Sequence, residues 1–159
     1  MLREDQIWRW LGEVPDPEIP VVSVVDLGIV RGINLAADGV EVEVAPTYSG
    51  CPATEVIEDS IVGKLRDEGV AGVTVKRVLS PPWTTDWISE SGKQKLKAYG
   101  IAPPAGTSDR RELLGKSPIH CPRCNAASTT LVSEFGSTAC KASYKCDDCL
   151  EPFEYFKCI

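Results

Sequence analysis

Cys121-Pro122-Arg123-Cys124 and Cys146-Asp147-Asp148-Cys149 are the two segments that decide the fold of the C-terminal part of this chain. A gap of two residues lets both thiolates of a pair reach one ion, and a second pair on a neighbouring hairpin completes a tetrahedron. The pattern predicts a zinc ribbon over residues 120–159, with Cys121, Cys124, Cys146 and Cys149 binding a structural zinc. Redox or accidental cysteine pairs are the weaker alternative, because a tail of about 40 residues hardly buries enough core without a metal.

Two further cysteines of the tail, Cys140 and Cys158, lie outside the paired motifs. Both can pack as small apolar side chains. Alternatively, they form a second thiolate pair that holds or passes an iron–sulfur cluster, or that exchanges into the zinc site. Spacing alone does not decide which four of the six tail cysteines bind the metal. His120 is another candidate ligand, although a residue directly beside Cys121 is more often a bystander.

The composition is that of a globular protein, with 43% hydrophobic and 25% charged residues among 159. The formal net charge of −6 argues against nucleic acid or an anionic membrane as a partner. No apolar run is long enough to span a membrane, and the acidic N-terminus does not look like a secretory signal. An odd number of cysteines, seven, disfavours a secreted disulfide framework. We therefore expect a cytoplasmic protein.

Histidine content narrows the chemistry further, since His120 is the only histidine. The chain alone cannot build a two-histidine-one-carboxylate iron site or a ferritin-like di-iron site. The glycine-rich nucleotide-binding motifs are also missing from the sequence. We expect no catalytic residues, and a helper role in any redox chemistry.

A polar segment with three prolines, residues 101–119, predicts a linker between the ribbon and the rest of the chain. Residues 1–100 predict a small α+β domain. The apolar pattern predicts a helix over 3–12, strands over 28–35 and 40–44 joined by a turn at Asp38-Gly39, a helix over 53–68, a strand over 73–79, and a helix over 85–99 with Ile88, Leu96 and Tyr99 facing inward.

Cys51 is the candidate reactive thiol of this first domain. Pro52 suits the first position of the following helix, which makes Cys51 its N-cap. Free backbone amides and the helix dipole favour a thiolate there, although Glu55, Glu58 and Asp59 oppose it. Two interpretations stay open: a reactive or metal-transferring thiol, and a buried structural cysteine.

Three carboxylates, Asp16, Glu18 and Asp26, frame a proline-rich segment and the start of the first strand region. They can act as acid–base groups or as ligands of a hard metal ion. The alternative is that Asp16 and Asp26 cap turns or helix ends.

The N-terminal motifs resemble a known family. Asp16-Pro17-Glu18-Ile19-Pro20, Val25-Asp26-Leu27-Gly28-Ile29-Val30 and Thr47-x-x-x-Cys51-Pro52 are similar to the small α+β domain of SufT-type and cytosolic iron–sulfur targeting proteins. The resemblance covers roughly the first half of the chain. It implies that Cys51 is the reactive cysteine of the family and that Asp16, Glu18 and Asp26 form its acidic motif.

The tail resembles a second family. Glu134-Phe135-Gly136-Ser137-Thr138-Ala139-Cys140-Lys141-Ala142 and Glu151-Pro152-Phe153-x-Tyr155-Phe156-Lys157-Cys158 are similar to PaaD (also called PaaJ), the accessory subunit encoded with the multicomponent phenylacetyl-CoA epoxidase. This resemblance implies a role in aerobic phenylacetate degradation. It also implies the oxygenase and iron–sulfur reductase subunits of that epoxidase as partners.

The leading hypothesis is a maturation or assembly factor with a structural zinc, in which Cys51, with Cys140 and Cys158, transiently holds iron or an iron–sulfur cluster. The acidic first domain and the aromatic residues of the tail dock client subunits, unless those aromatics form the core of the ribbon. A scaffold subunit of the oxygenase is the second hypothesis. An enzyme with a Cys51 nucleophile lacks a free histidine base, and a nucleic-acid-binding ribbon is disfavoured by charge. Open sheet edges make a homodimer a further expectation.

Overall fold

The structure, a computed structural model, describes residues 1–47, 52–104 and 119–157. Contacts within the chain divide it into two units, Met1–Trp83 and Thr84–Ile159. The predicted boundary at residue 100 differs from this division, because the helix before it packs with the second unit. Most of the predicted linker lies outside the described residues. Among the described residues, no helix is long and apolar enough to cross a bilayer.

The first unit is built on a three-stranded sheet in the order β1-β2-β3. Strands β1 (Val30–Ala36) and β2 (Gly39–Val44) form the predicted antiparallel hairpin, in which Ala36 pairs with Gly39. Strand β3 (Val73–Arg77) lies parallel to β2. The valines of β2 are buried and its glutamates are half-buried, so the alternation predicts the core face correctly.

Helices α1 (Glu4–Leu11) and α2 (Ala53–Asp67) supply the rest of this core. Ile57, Ile61 and Leu65 of α2 are buried as predicted, and the chain turns after the helix at Gly69, which has φ 93°. The proline-rich segment, residues 15–20, contains turns and a single bridge from Pro15 to Ser23.

The second unit begins with a single 3-10 turn, Thr85–Trp87, followed by helix α3 (Glu90–Tyr99). The predicted continuous helix over 85–99 is therefore wrong at its start, because the Ser89 hydroxyl accepts from the Gly92 amide and begins a new helix. Ile88 and Leu96 are buried as predicted, but Tyr99 is 55% exposed. Tyr99 ends the helix beside Gly100, away from the stripe formed by Gly92 and Leu96.

A four-stranded sheet forms the rest of the second unit, in the order β4-β7-β6-β5. Strand β4 (Ile101–Ala102) is parallel to β7 (Pro152–Phe156), although both of its residues fall in the predicted linker. Strands β5 (Thr129–Ser133), β6 (Lys141–Cys146) and β7 form an antiparallel meander. The hairpin of β5 and β6 connects the two cysteine pairs, and β7 follows the second pair.

Candidate metal centre

The four cysteines of the two paired motifs come together at one end of this sheet. Their sulfur atoms all lie within 4.8 Å of one another. Sγ of Cys121 is 3.8 Å from Sγ of Cys149, and Sγ of Cys124 is 3.5 Å from Sγ of Cys146. A zinc–sulfur bond of about 2.3 Å corresponds to a sulfur–sulfur edge of about 3.8 Å in a tetrahedron. The four side chains are therefore close enough together to bind one tetrahedral metal ion.

Two tight turns, each called a knuckle here, position these thiols. In the first knuckle, residues 121–126, the Cys121 carbonyl accepts from the Asn125 amide and the Cys121 amide donates to the Ala126 carbonyl. In the second knuckle, residues 146–151, the Cys146 amide donates to the Glu151 carbonyl over 3.0 Å. The first cysteine of each knuckle is buried and the second is exposed.

Backbone amides also point at the buried sulfurs. The Arg123 amide donates to Sγ of Cys121, and the Cys149 amide donates to Sγ of Cys146, both over 3.4 Å. The second of these donors, ahead of the Asp148 amide, lowers the pKa of Cys146 to about 7. These donors favour thiolates, which are the metal-binding form of cysteine.

Cys149 titrates in the opposite direction. The Glu151 amide lowers the pKa of this thiol, but desolvation and the three neighbouring thiols outweigh that donor and raise the pKa to about 12. Cys146 and Cys149, the two cysteines of this knuckle, thus differ strongly in acidity, because ionisation of one thiol opposes the ionisation of a thiol close to it.

Each knuckle contains one residue with left-handed backbone, directly after its second cysteine. Asn125 follows the first pair with φ 61°, and Leu150 follows the second pair with φ 64°. Asparagine tolerates this conformation, whereas a bulky side chain rarely adopts it. Sequence reasoning did not single out these positions, although the residue after the second cysteine of a tight turn is the place to expect positive φ.

The other described candidate ligands of the tail, Cys140 and His120, do not belong to this cluster. Cys140 is buried directly before β6, six residues of extended chain and so about 20 Å from Cys146. Its carbonyl accepts from the Lys157 amide at the far end of the sheet. His120 places Nδ1 3.2 Å from the Asn125 carbonyl and is not part of the cluster. Cys158 lies outside the described residues.

The buried Lys141 is a feature that the sequence pattern did not reveal. Its ammonium lies 3.5 Å from the Glu154 carboxylate, which also accepts from the amide and the hydroxyl of Ser137. Donation from Ser137 and the Lys141 charge outweigh desolvation and lower the pKa of Glu154. A Cβ on Gly136 would collide with Glu154, so this glycine lets the loop approach the carboxylate. The network fixes the end of the ribbon opposite the cysteines.

Most tail aromatics form the core of the ribbon instead of an exposed surface. Phe153, Tyr155 and Phe156 are buried, and Tyr144 stacks on Phe153 with ring centroids 5.9 Å apart. Phe135 is the exception, since it is 62% exposed beneath the ammonium of Lys157. The expectation that the tail aromatics dock client subunits is therefore wrong for the three buried rings, Phe153, Tyr155 and Phe156.

In the first unit, the carboxylates Asp16 and Asp26 cap turns. Oδ1 of the buried Asp16 accepts from the amides of Glu18 and Ile19, at 2.9 and 2.8 Å. Asp26 accepts from the Ser23 amide, and the Ser23 hydroxyl accepts from the Asp26 amide. The turn-capping interpretation accounts for these bonds, and Glu18 stands half-buried on the loop that they fix.

Cys51 lies outside the described residues. The helix after it begins at Ala53 as predicted, but Pro52 and not Cys51 occupies the N-cap, one residue later than predicted. Thr47, on the other side of the undescribed segment, is half-buried. A site that combines the acidic motif with Cys51 therefore stays a prediction.

Comparison with known proteins divides the chain in a similar way. Residues 4–79 match the family model described as iron-sulfur cluster assembly protein, and residues 105–157 match the model described as PaaD zinc beta ribbon domain. A protein of Escherichia coli (strain K12), named as a subunit of a putative 1,2-phenylacetyl-CoA epoxidase, is 49% identical over 154 residues. The match covers 97% of this chain and 92% of that protein.

Two shorter proteins match the N-terminal part. An Fe-S protein maturation auxiliary factor of Porphyromonas gingivalis is 38% identical over 58% of this chain and 90% of its own length. The crystal structure of a domain of unknown function, DUF59, from Bacillus anthracis has a TM-score of 0.54 and 27% identity. The match covers 58% of this chain and 90% of that domain. The N-terminal fold thus also occurs as nearly the whole of separate proteins.

Proposed function

The chain belongs to the PaaD family of phenylacetyl-CoA epoxidase subunits, and we propose that it serves that epoxidase as a non-catalytic accessory protein. In this role it aids maturation of the iron–sulfur cluster of the reductase, or assembly of the oxygenase–reductase complex, in aerobic phenylacetate degradation. The observation that carries the proposal is one chain that joins an iron–sulfur assembly domain to the PaaD zinc ribbon.

Zinc is the metal proposed for the four-cysteine cluster. Four soft thiolates in a tetrahedron suit zinc or iron. A closed set of four protein ligands has no open position for water or substrate, which is typical of structural zinc. Because Cys121 and Cys146 belong to the core of the second unit, the ion would stabilise the fold and leave cluster handling to other thiols.

The proposed cluster-handling thiol is Cys51, for which Cys140 and Cys158 are the candidate helpers. The nearly complete burial of Cys140, which is 4% exposed, favours packing for this residue. An enzymatic role is disfavoured because His120, the only histidine, lies against the Asn125 carbonyl beside the metal centre and far in sequence from Cys51.

The test is metal and acid-labile sulfide analysis of the anaerobically purified full chain, for wild type, Cys51→Ser and Cys140→Ser. We expect one zinc in all three proteins, with substoichiometric iron and sulfide that fall in Cys51→Ser. Cys140→Ser separates the two interpretations of Cys140, since iron and sulfide fall with the loss of a helper thiol and stay unchanged with the loss of a packing cysteine. One zinc and no iron or sulfide after reconstitution would contradict cluster handling.

A scaffold subunit of the oxygenase is the second candidate, and the name of the Escherichia coli relative, which calls that protein a subunit, favours it. A scaffold co-purifies with the oxygenase in fixed stoichiometry and is indifferent to Cys51→Ser. A maturation factor instead changes the iron and sulfide content of the reductase when the two are produced together. Measuring both quantities in the same co-expression experiment separates the two roles.

A further inference from the structure

The second knuckle carries an exposed leucine in a conformation that leucine rarely adopts. Leu150 has φ 64° and is 64% exposed. The equivalent position of the first knuckle holds Asn125, which suits the left-handed region. Neither backbone conformation nor burial explains why an apolar side chain stands at the tip of the second knuckle.

Acidic side chains surround this leucine. Asp147, Asp148 and Glu151 are all exposed, and Lys145 is the only basic residue between positions 145 and 152. The Asp147 carboxylate accepts from the Thr130 hydroxyl at 2.9 and 3.0 Å, which ties the knuckle to strand β5. Four thiolates around a divalent ion would add two further negative charges. The tip is therefore a fixed apolar projection with a negative rim.

The first knuckle differs in charge, although its two cysteines belong to the same four-sulfur cluster. Arg123 lies between its cysteines, at the place that Asp147 and Asp148 occupy in the second knuckle. The negative rim is thus a property of the second knuckle alone. Electrostatic complementarity sets the orientation and rate of association, and buried apolar side chains near the centre of an interface supply most of its affinity.

We propose that the tip of the second knuckle, Leu150 with Asp147, Asp148 and Glu151, is a docking surface for a partner protein that presents an apolar pocket rimmed by lysine or arginine. This inference rests on the proposed function for the choice of partner, which is one of the other subunits of the phenylacetyl-CoA epoxidase. Leu150 fills the pocket, and the carboxylates face its basic rim. Nucleic acid does not fit this surface, since its phosphates would meet carboxylates.

The test uses the zinc-loaded full chain and the purified oxygenase and reductase subunits of the epoxidase, with binding followed by titration calorimetry and by association kinetics. Leu150→Asn removes the apolar side chain and supplies a residue that tolerates left-handed backbone. We expect it to keep its zinc and its thermal stability and to weaken binding about tenfold or more. Leu131→Asn, at another exposed leucine of the same unit, is the matched control and should bind like wild type.

A second variant tests the rim independently of Leu150. Asp148→Asn combined with Glu151→Gln should slow association and flatten its dependence on salt concentration, with little change in dissociation. Leu150→Gly provides a further check, because glycine removes the side chain and adopts positive φ freely.

The outcomes separate the docking surface from the proposed function. If wild type binds a subunit and the Leu150 variants bind as tightly, the docking surface is overturned while the accessory role stands. If wild type binds none of the subunits, the partner assignment and the docking surface are both overturned. Weakening in Leu150→Asn and Leu131→Asn alike would also overturn the inference, since it would indicate a nonspecific apolar contribution.

Discussion

The four thiolates of the metal centre are separated from the fifth described cysteine by the length of a strand. Cys124 is one corner of the cluster, whereas Cys140 is buried about 20 Å from Cys146. Spacing in the sequence leaves the choice among the tail cysteines open, and among the described ones three-dimensional proximity selects the two paired motifs. The distinction is chemical, because only thiols that converge on one point can share an ion.

We therefore predict that Cys124→Ser and Cys140→Ser differ sharply in zinc content. Loss of one thiolate should weaken zinc binding by more than about 100-fold, since even residues that only support metal ligands are worth 10- to 100-fold. Cys140→Ser should retain one zinc per chain. Competition with a chromophoric chelator measures both affinities, and equal weakening in the two variants would contradict the ligand assignment.

Glu154 predicts a pH dependence of stability. Its pKa is lowered in the folded protein, so the unfolded chain binds more protons near its ordinary pKa of about 4.3. The stabilisation is present above that pH and is lost as pH falls through the folded value. Glu154→Gln should destabilise the protein by about 1–3 kcal/mol at pH 7, because Lys141 loses its carboxylate partner.

Urea unfolding of wild type and Glu154→Gln between pH 3 and pH 7 measures this difference. The gap between the two free energies of unfolding should narrow as pH falls below about 4.3. Both proteins share the metal centre, so acid effects on metal binding cancel in the comparison. Glu134→Gln, at an exposed carboxylate, is the control, and a gap that stays constant with pH would contradict the assignment.

At the scale of elements, two glycines of the first unit differ in the space that is available for a side chain. Gly63 lies on the exposed side of α2, where an added Cβ would meet no atom within 4 Å. Gly39 begins β2, and an added Cβ would collide with the carbonyl of Gly72, which accepts from the Val40 amide at 2.7 Å. The close approach lets β2 and β3 align at their starts.

We predict that Gly63→Ala stabilises the protein by about 0.5–1 kcal/mol, because alanine gains helix propensity without a clash. Gly39→Ala should destabilise it by about 1–3 kcal/mol, because backbone atoms must shift to admit the methyl group. Thermal unfolding of both variants checks the pair. A destabilising Gly63→Ala, or a neutral Gly39→Ala, would contradict the packing around these strands.

The elements that the sequence predicts well are those with strong periodicity. The alternation in β2 and the stripe of Ile57, Ile61 and Leu65 in α2 reflect burial on one face, which side-chain spacing records directly. The short strand β4 and the start of α3 depend on tertiary pairing and on a single cap, which leave little pattern. The buried Lys141 escaped prediction because its partner Glu154 lies on the neighbouring strand.

The same contrast holds for the candidate sites. A metal centre of paired cysteines is predictable because local spacing imposes its geometry. The roles of Asp16 and Asp26 depend on the conformation of a loop, in which both carboxylates accept from nearby amides. The sequence does contain a physical reason for turn capping here, because each short acidic side chain lies two or three residues from the amides that it binds.

At the scale of the whole molecule, the two units hold their folds by different means. The core of the first unit is mainly aliphatic, with the buried Trp83 as an aromatic member, whereas the core cluster of the second unit includes Cys121 and Cys146 among few other buried residues. A chelator should therefore unfold strands β5 to β7 while β2 and α2 stay folded, because metal binding in small zinc domains contributes about 10–16 kcal/mol of folding free energy.

Hydrogen exchange of the full chain, before and after chelation, measures protection in each strand separately. Added zinc should restore protection in the ribbon, and this recovery controls for irreversible damage. Equal loss of protection in both units would contradict independent stabilisation, and unchanged protection in β5 to β7 would show that the ribbon needs no metal.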